Sequence, residues 1–435
     1  MQLTENKISI IAPESSRSAA FDFVLNYIFR DRLGISEFEV EFRKQIDGFS
    51  IECNDEPIYR FPTSDLFENL EKYISEELKP DCKGEGKDWQ PFTLETNGVF
   101  SVNFDVFASI FYLIARIDEV LPSALKDEHD RFTVNSCLQF KYDTHRFPVI
   151  DLWIENIRDA FLKKGISVRS EDFTWWNTID VDQVFASQGK PLIKRLGRQV
   201  KKVSELKLGE AHKLAATFVG KPDPFDVLPL MHSTKSRDIA FYLVGGNTEY
   251  DHPETRNEAL IQESIYQNKQ RFEIGLHPSY ATFNDLGLLE NEKSLIEGVM
   301  DKEVVISRQH YLHYNWPETP QLLEKAGITL DFTMGFADEV GFRAGTSRPF
   351  PFFDVLNNTS SELTIVPFCV MDVTLKHYMG LNKNEAKALI IELIENVRAC
   401  NGLFVSLWHN ESLSEIDGWK GWRNVYLEMK EELTK

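Results

Sequence analysis

The stretch Trp175-Trp176-Asn177-Thr178-Ile179-Asp180-Val181-Asp182 is an aromatic and β-branched run that ends in two carboxylates. Its composition predicts a buried strand, and Asp180 and Asp182, two positions apart, share one side of an extended strand end. The same ending recurs downstream. DIAFYLV (238–244) is followed by Gly245-Gly246-Asn247, and RFEIGL (271–276) by His277-Pro278-Ser279-Tyr280. EVVIS (303–307) leads to Arg308-Gln309-His310, ELTIVPFCVM (362–371) to Asp372, and GLFVSLW (402–408) to His409-Asn410-Glu411. Polar, helix-like segments separate these runs. Strands alternating with helices predict a mostly parallel sheet or barrel, in which strand C-termini converge on one face and collect the chemistry there.

Taken singly, each of these residues has a bland use. Asp180-Val181-Asp182 could be a turn or helix cap, and His277 and His409 could be hydrogen-bonded structural histidines. Taken together, a carboxylate pair and strand-end histidines fit metal-assisted hydrolysis: crowded carboxylates repel unless they share a cation or a proton.

Length and composition set the frame. A chain of 435 residues predicts two domains. Its apolar fraction of 42% and charged fraction of 27% are those of a globular protein. A net charge of −20 argues against a nucleic-acid partner. The N-terminus, MQLTENKISIIAPESS, lacks the basic and apolar regions of an export signal. The longest apolar segment, VFASIFYLIARI (106–117), is short of the roughly 20 residues of a membrane span. Cys53, Cys82, Cys137, Cys369 and Cys400 are scattered, as expected of reduced thiols in a cytoplasm.

Residues 1–170 read as an N-terminal α/β domain. ISIIA (8–12), FEVEF (38–42) and FSIEC (49–53) predict strands, and FDFVLNYIFRDRL (21–33), VNFDVFASIFYLIARIDEVL (102–121) and PVIDLWIENIRDAFLKKG (148–165) predict helices. KPDCKGEGKDWQPF (79–92) reads as a loop, and His129 and Arg131 as part of a surface loop or helix end, with a functional role as the alternative.

The segment from about 173 to 415, just over half the chain, resembles the polysaccharide deacetylase (NodB homology) domain of carbohydrate esterase family four. The likeness is carried by Thr178-Ile179-Asp180-Val181-Asp182, by Glu273-Ile274-Gly275-Leu276-His277-Pro278-Ser279-Tyr280, by Ser307-Arg308-Gln309-His310-Tyr311 and by Leu407-Trp408-His409-Asn410, in the family's order. Residues 1–170 look like the uncharacterised domain that precedes some bacterial deacetylase-like domains.

The resemblance implies an α/β fold whose C-terminal part, 171–435, is a distorted barrel of about seven β/α units. It implies Asp180 as general base, Arg308 orienting it, His409 as general acid, and Asp182 and His277 as ligands of a divalent metal, zinc first. The family places a further His four residues after the first, where this chain has Ala281. His310 is the candidate substitute, ahead of Asp285 and His313. Because Asp-Val-Asp replaces adjacent aspartates, the roles of Asp180 and Asp182 could be exchanged.

Substrate contacts are expected from Tyr280 and Trp408. Gly341-Phe342-Arg343-Ala344-Gly345-Thr346-Ser347-Arg348 sets two arginines about a glycine turn. Arg343 and Arg348 there would grip an anionic sugar or phosphate, or else buttress the loop. Trp316 is a further sugar-lining or core residue. The implied activity is removal of an N- or O-linked acetyl group from a sugar or polysaccharide intermediate in the cytoplasm, beside polysaccharide-biosynthesis proteins. The alternatives are an inactive carbohydrate-binding or scaffold protein, which Ala281 favours, and a glycoside hydrolase using a carboxylate pair.

Overall fold

The computed structural model describes residues 7–80, 94–251 and 256–435. It is a mixed α/β structure with two mixed sheets. The first sheet is built from β1 (Ile8–Pro13), β2 (Glu39–Arg43), β3 (Gly48–Cys53), β4 (Glu56–Pro62), β5 (Leu94–Thr96) and β6 (Val99–Ser101), in the order β2-β1-β3-β4-β6-β5. The three N-terminal runs expected as strands are β1, β2 and β3. The expected loop at 79–92 falls mostly outside the described residues, as does Cys82. Cys53, Cys137, Cys369 and Cys400 form no disulfide.

The helix expected over 102–121 is interrupted. It runs Val106–Ile114 and resumes at Ile117–Val120, because Arg116 adopts a left-handed φ of 53°. That turn lets the fully buried Arg116 reach Asp118 at 3.0 Å and Glu119 at 2.7 Å. The helix Val149–Lys163 ends before Gly165, whose φ is +74°.

The second sheet holds β7 (Thr174–Val181), β8 (Arg237–Tyr242), β9 (Glu273–Leu276), β10 (Ile306–Ser307), β11 (Leu330–Asp331), β12 (Phe350–Asp354), β13 (Thr359–Ile365), β14 (Val370–Met371) and β15 (Leu403–His409). Their order is β12-β13-β11-β10-β9-β8-β7-β15-β14; every neighbour pair is parallel except β12 with β13. ELTIVPFCVM, read from sequence as one run, is divided between β13 and β14, and the two-residue β11 gave no sequence signal. Among the described residues no helix is long and apolar enough to cross a membrane.

Register positions the chemistry. Val181 pairs with Tyr242, Tyr242 with Leu276, and Leu276 with Ser307. Asp182, His277 and Arg308 each stand one residue beyond this row. On the other side, His409 pairs with Asp180 and Trp408 with Ile179. Residues directly opposite one another share a face, so His409 and Asp180 point one way and Trp408 and Ile179 the other. Beneath Asp180 lies an apolar cluster that includes Phe241, Ile306, Phe332, Phe368 and Leu407.

The two halves share a buried core. Phe23 and Phe111 pack on Phe353 with ring centroids 4.8 and 5.1 Å apart, pairs worth roughly 0.5–1.5 kcal/mol each beyond their area. Asp151 accepts hydrogen bonds from both the backbone N–H and the hydroxyl of Ser347, each at 2.7 Å.

Candidate functional site

A cleft of about 340 Å³ opens at the C-terminal ends of the parallel strands, lined among others by Asp180, Asp182, His277, His310, His409 and Glu411. The structure brings together Asp182, His277 and His310, whose ligand atoms all lie within 4.8 Å of one another. His277 Nε2 is 3.3 Å from Asp182 Oδ1 and 3.6 Å from Asp180 Oδ2, and His310 Nε2 is 3.8 Å from Asp182 Oδ2.

Both imidazoles are held from behind. His277 Nδ1 donates to the carbonyl of Arg308 at 2.5 Å, so in the neutral ring Nε2 is a lone pair aimed at the carboxylates. His310 Nδ1 lies 3.2 Å from the Asp251 carboxylate. Asp251 is itself fixed by the Tyr280 N–H at 2.7 Å and by Thr248. Gly246 makes this possible: its φ is +84°, and a Cβ there would meet Asp251 Cγ at 2.4 Å. Such partners set the tautomer and orientation of a metal-binding histidine.

His310 reaches the cleft through a tight turn in which Tyr311 and Leu312 both take positive φ, 60° and 53°. Backbone strain of this kind persists where surrounding contacts over-determine it. Here Arg131 donates to the Tyr311 carbonyl at 3.0 Å and to the Tyr378 hydroxyl at 2.9 Å, and Asp127 holds Arg131 at 2.6 Å.

Two acceptor atoms, Asp182 Oδ1 and His277 Nε2, are buried and have no hydrogen-bond partner. Burying such groups unpaired costs roughly 1–3 kcal/mol each. One carboxylate and two imidazoles form an oxygen–nitrogen donor set suited to zinc, with three protein ligands and room for others. The residues present therefore fit a divalent cation.

Beside the triad, Asp180 and His409 are each clamped. The buried Arg308 donates from one guanidinium N–H to Asp180 Oδ1 at 2.8 Å, from another to the Thr178 hydroxyl at 2.6 Å, and from Nε to the Phe332 carbonyl at 3.0 Å. His409 Nδ1 is 2.8 Å from Asp372 Oδ1, and its backbone N–H donates to Asp372 Oδ2 at 2.8 Å.

Carboxylate charge dominates the titration of both His409 and His310. Burial alone would lower the His409 imidazole, but the Asp372, Asp182 and Asp180 charges outweigh it and carry its pKa up to about 10. Burial also opposes the charge on His310, which Asp182 and Asp251 raise to about 9. Asp182 is held well below the usual carboxylate range: burial would raise it, and the surrounding histidines win. Burial and the Asp182 charge push Glu411 up to about 7.

Other expected residues lie elsewhere. Trp408 is 0% exposed and packs on Tyr426 at 5.1 Å, on the face of β15 opposite His409; strand alternation removes it from the substrate. Trp316 is buried in the core, donating to the Ala115 carbonyl. Arg343 is buried, with Nε 2.8 Å from Glu119 Oε1 and another guanidinium nitrogen 2.5 Å from Oε2, so it braces the two halves and does not line the cleft. Arg348 bonds the carbonyls of Asp172 and Asn401, next to the first residues of β7 and β15, at the sheet end away from the cleft. Tyr280 is half-buried behind the cleft-lining Tyr311, ring centroids 5.8 Å apart, with its hydroxyl 3.2 Å from His129 Nδ1. Ala281 lies on the turn Tyr280–Thr282. Asp285 caps the helix Leu286–Met300, and His313 stacks on Phe283 and Tyr280 at 3.7 and 4.1 Å.

The strand-end pattern marks Asp372 and Glu411 without giving either a role, and it does not reach Asp251, which lies farther along the loop after β8. Arg131 comes from the N-terminal half and had no such signal.

Residues 8–165 match a sequence family described as "Family of unknown function (DUF7033)". No curated protein matches the chain. Several solved structures resemble it. A protein from Mycobacterium smegmatis assigned as a polysaccharide deacetylase is 17% identical with a TM-score of 0.37, over 61% of this chain and 85% of its own. The polysaccharide deacetylase of Bacillus cereus is 10% identical with a TM-score of 0.28, over 60% and 88%. A 4-alpha-glucanotransferase from Thermococcus litoralis is 12% identical with a TM-score of 0.35, over 61% and 38%.

Proposed function

We propose that this protein is a metal-dependent hydrolase that removes an acetyl group, N- or O-linked, from a sugar or polysaccharide intermediate. The observation that carries this reading is the pair of buried, unpartnered acceptors, Asp182 Oδ1 and His277 Nε2, facing each other at 3.3 Å. Asp182, His277 and His310 would hold a divalent cation, zinc by its donor chemistry. When bound, the cation polarises the acyl carbonyl and eases ionisation of water.

The remaining steps belong to side chains. Asp180, fixed by Arg308, takes a proton from the attacking water. Water oxygen bonds to the acyl carbon, the bond to the sugar nitrogen or oxygen breaks, and acetate leaves. His409, kept protonated by Asp372, gives its proton to the departing amine or alkoxide. Arg131 on the cleft wall, and Tyr280 close behind it, are read as sugar contacts. The larger sheet with its flanking helices is read as the distorted β/α barrel, residues 171–435, joined to an N-terminal α/β domain, 1–170. A cytoplasmic setting with polysaccharide-biosynthesis enzymes as neighbours suits such a substrate.

The test is acetate release from a panel of N- and O-acetylated sugars, with and without Zn²⁺ or Co²⁺. Release should depend on metal and vanish in Asp180→Asn. Release that persists under chelation, or none from any substrate with metal present, contradicts the reading.

A further inference from the structure

The helix Leu192–Ser204 has its faces reversed. Arg195, Arg198, Gln199 and Lys202 turn toward the protein, while Leu192, Ile193, Leu196, Val200 and Val203 turn outward. Lys202 is buried against Asp417 at 2.5 Å and Glu210 at 2.7 Å, and Arg198 also pairs with Asp417. Ile193 is 84% exposed and Val200 69%. Leu206, Leu208, Phe218 and Val219 extend the exposed apolar surface along the chain. A surface helix ordinarily packs its apolar stripe inward, and an exposed patch of this kind marks an interaction site.

Charge selects the occupant. Residues 190–221 hold nine Lys and Arg against two Glu, in a chain whose net charge is −20. Lys201 and Lys221 lie exposed along this segment, and Lys207, also exposed, pairs with Glu205 at 2.8 Å. A second copy of the same face would set cations against cations. An anionic bilayer receives both components: acyl chains take the leucines, isoleucine and valines, and lipid phosphates meet the ammonium groups. Elsewhere the acidic surface is repelled by the same lipids, which orients the molecule.

We propose that residues 192–219 form an in-plane attachment to anionic membrane surfaces. Asp417, which holds this helix, is two residues from Trp419 on the cleft wall, so attachment sets the cleft beside the bilayer. The substrate would then be a sugar presented at a membrane.

Co-sedimentation of the full chain with vesicles tests this without reference to catalysis. Phosphatidylcholine vesicles containing phosphatidylglycerol should bind it about tenfold more tightly than phosphatidylcholine alone, and less so in high salt. Ile193→Asp with Val200→Asp should abolish sedimentation, and Lys201→Glu with Lys221→Glu should weaken it, with circular dichroism unchanged. Failure of the wild-type chain to bind anionic vesicles overturns the proposal, as does undiminished binding by the aspartate variant. Concentration-dependent self-association, or capture by polyglutamate, in place of vesicle binding also overturns it and assigns the face to a second copy or an acidic protein.

Discussion

His277 presents Nε2 to Asp182 Oδ1 at 3.3 Å, and neither buried atom has a hydrogen-bond partner. The contact is imposed from outside the pair. Strand register sets both residues one step beyond the same row, and the Arg308 carbonyl fixes the ring. Two acceptors held this way fit a cation between them.

In the proposed reaction Arg308 acts through Asp180, the base, which it holds at 2.8 Å. Arg308→Met should lower kcat by about 10²- to 10⁴-fold, the range of general-base loss, while the chain keeps its metal. Asp180→Asn should match it, and the double variant should add little more. Steady-state kinetics with elemental analysis of the same samples checks this; loss of metal along with activity would place Arg308 in the metal site's support instead.

The His409 proton gives a pH signature. Its folded pKa, about 10, is above the ordinary histidine value, so the stabilisation from Asp372 is complete below roughly pH 6.5 and is lost as pH rises through about 10. Activity needing the protonated ring should fall on the alkaline side. Asp372→Asn should move that alkaline limb downward and leave metal content unchanged. A kcat profile whose alkaline limb does not respond to Asp372→Asn would remove His409 as the acid.

Glu119 ties the two halves together through Arg343 and is also paired with its neighbour Arg116. Burial alone would raise its carboxyl, and the two guanidiniums outweigh that and hold it below the usual range. Its contribution is therefore present above the unfolded carboxylate pKa and fades as pH falls through the folded one. Glu119→Gln leaves buried guanidinium charge short of a counter-ion and should cost about 3–5 kcal/mol in urea unfolding. A change under about 1 kcal/mol would show that the pair is not a main brace.

The strand ends carrying Asp180, His277, Arg308 and His409 were legible because each follows a mostly apolar, strand-forming run and parallel strands collect polar chemistry at their C-terminal ends. The second-layer groups were not. Asp251 and Asp372 act only through His310 and His409, a relation that exists in space and leaves no spacing in the chain. Arg343 and Arg348 misled because an arginine beside a glycine turn looks the same whether it faces solvent or a buried carboxylate. Trp408 was separable in principle: one residue before His409, it must face the other side of its strand. Arg131 crosses from the N-terminal half to the rim of the cleft, a contact no local pattern encodes.

The most direct measurement is anomalous diffraction from crystals grown with Zn²⁺. One strong peak is expected about 2.0–2.2 Å from an Asp182 oxygen, His277 Nε2 and His310 Nε2, absent in His277→Ala. A zinc-loaded crystal with no peak among these three side chains, or with zinc held at His313 or Asp285, would contradict it.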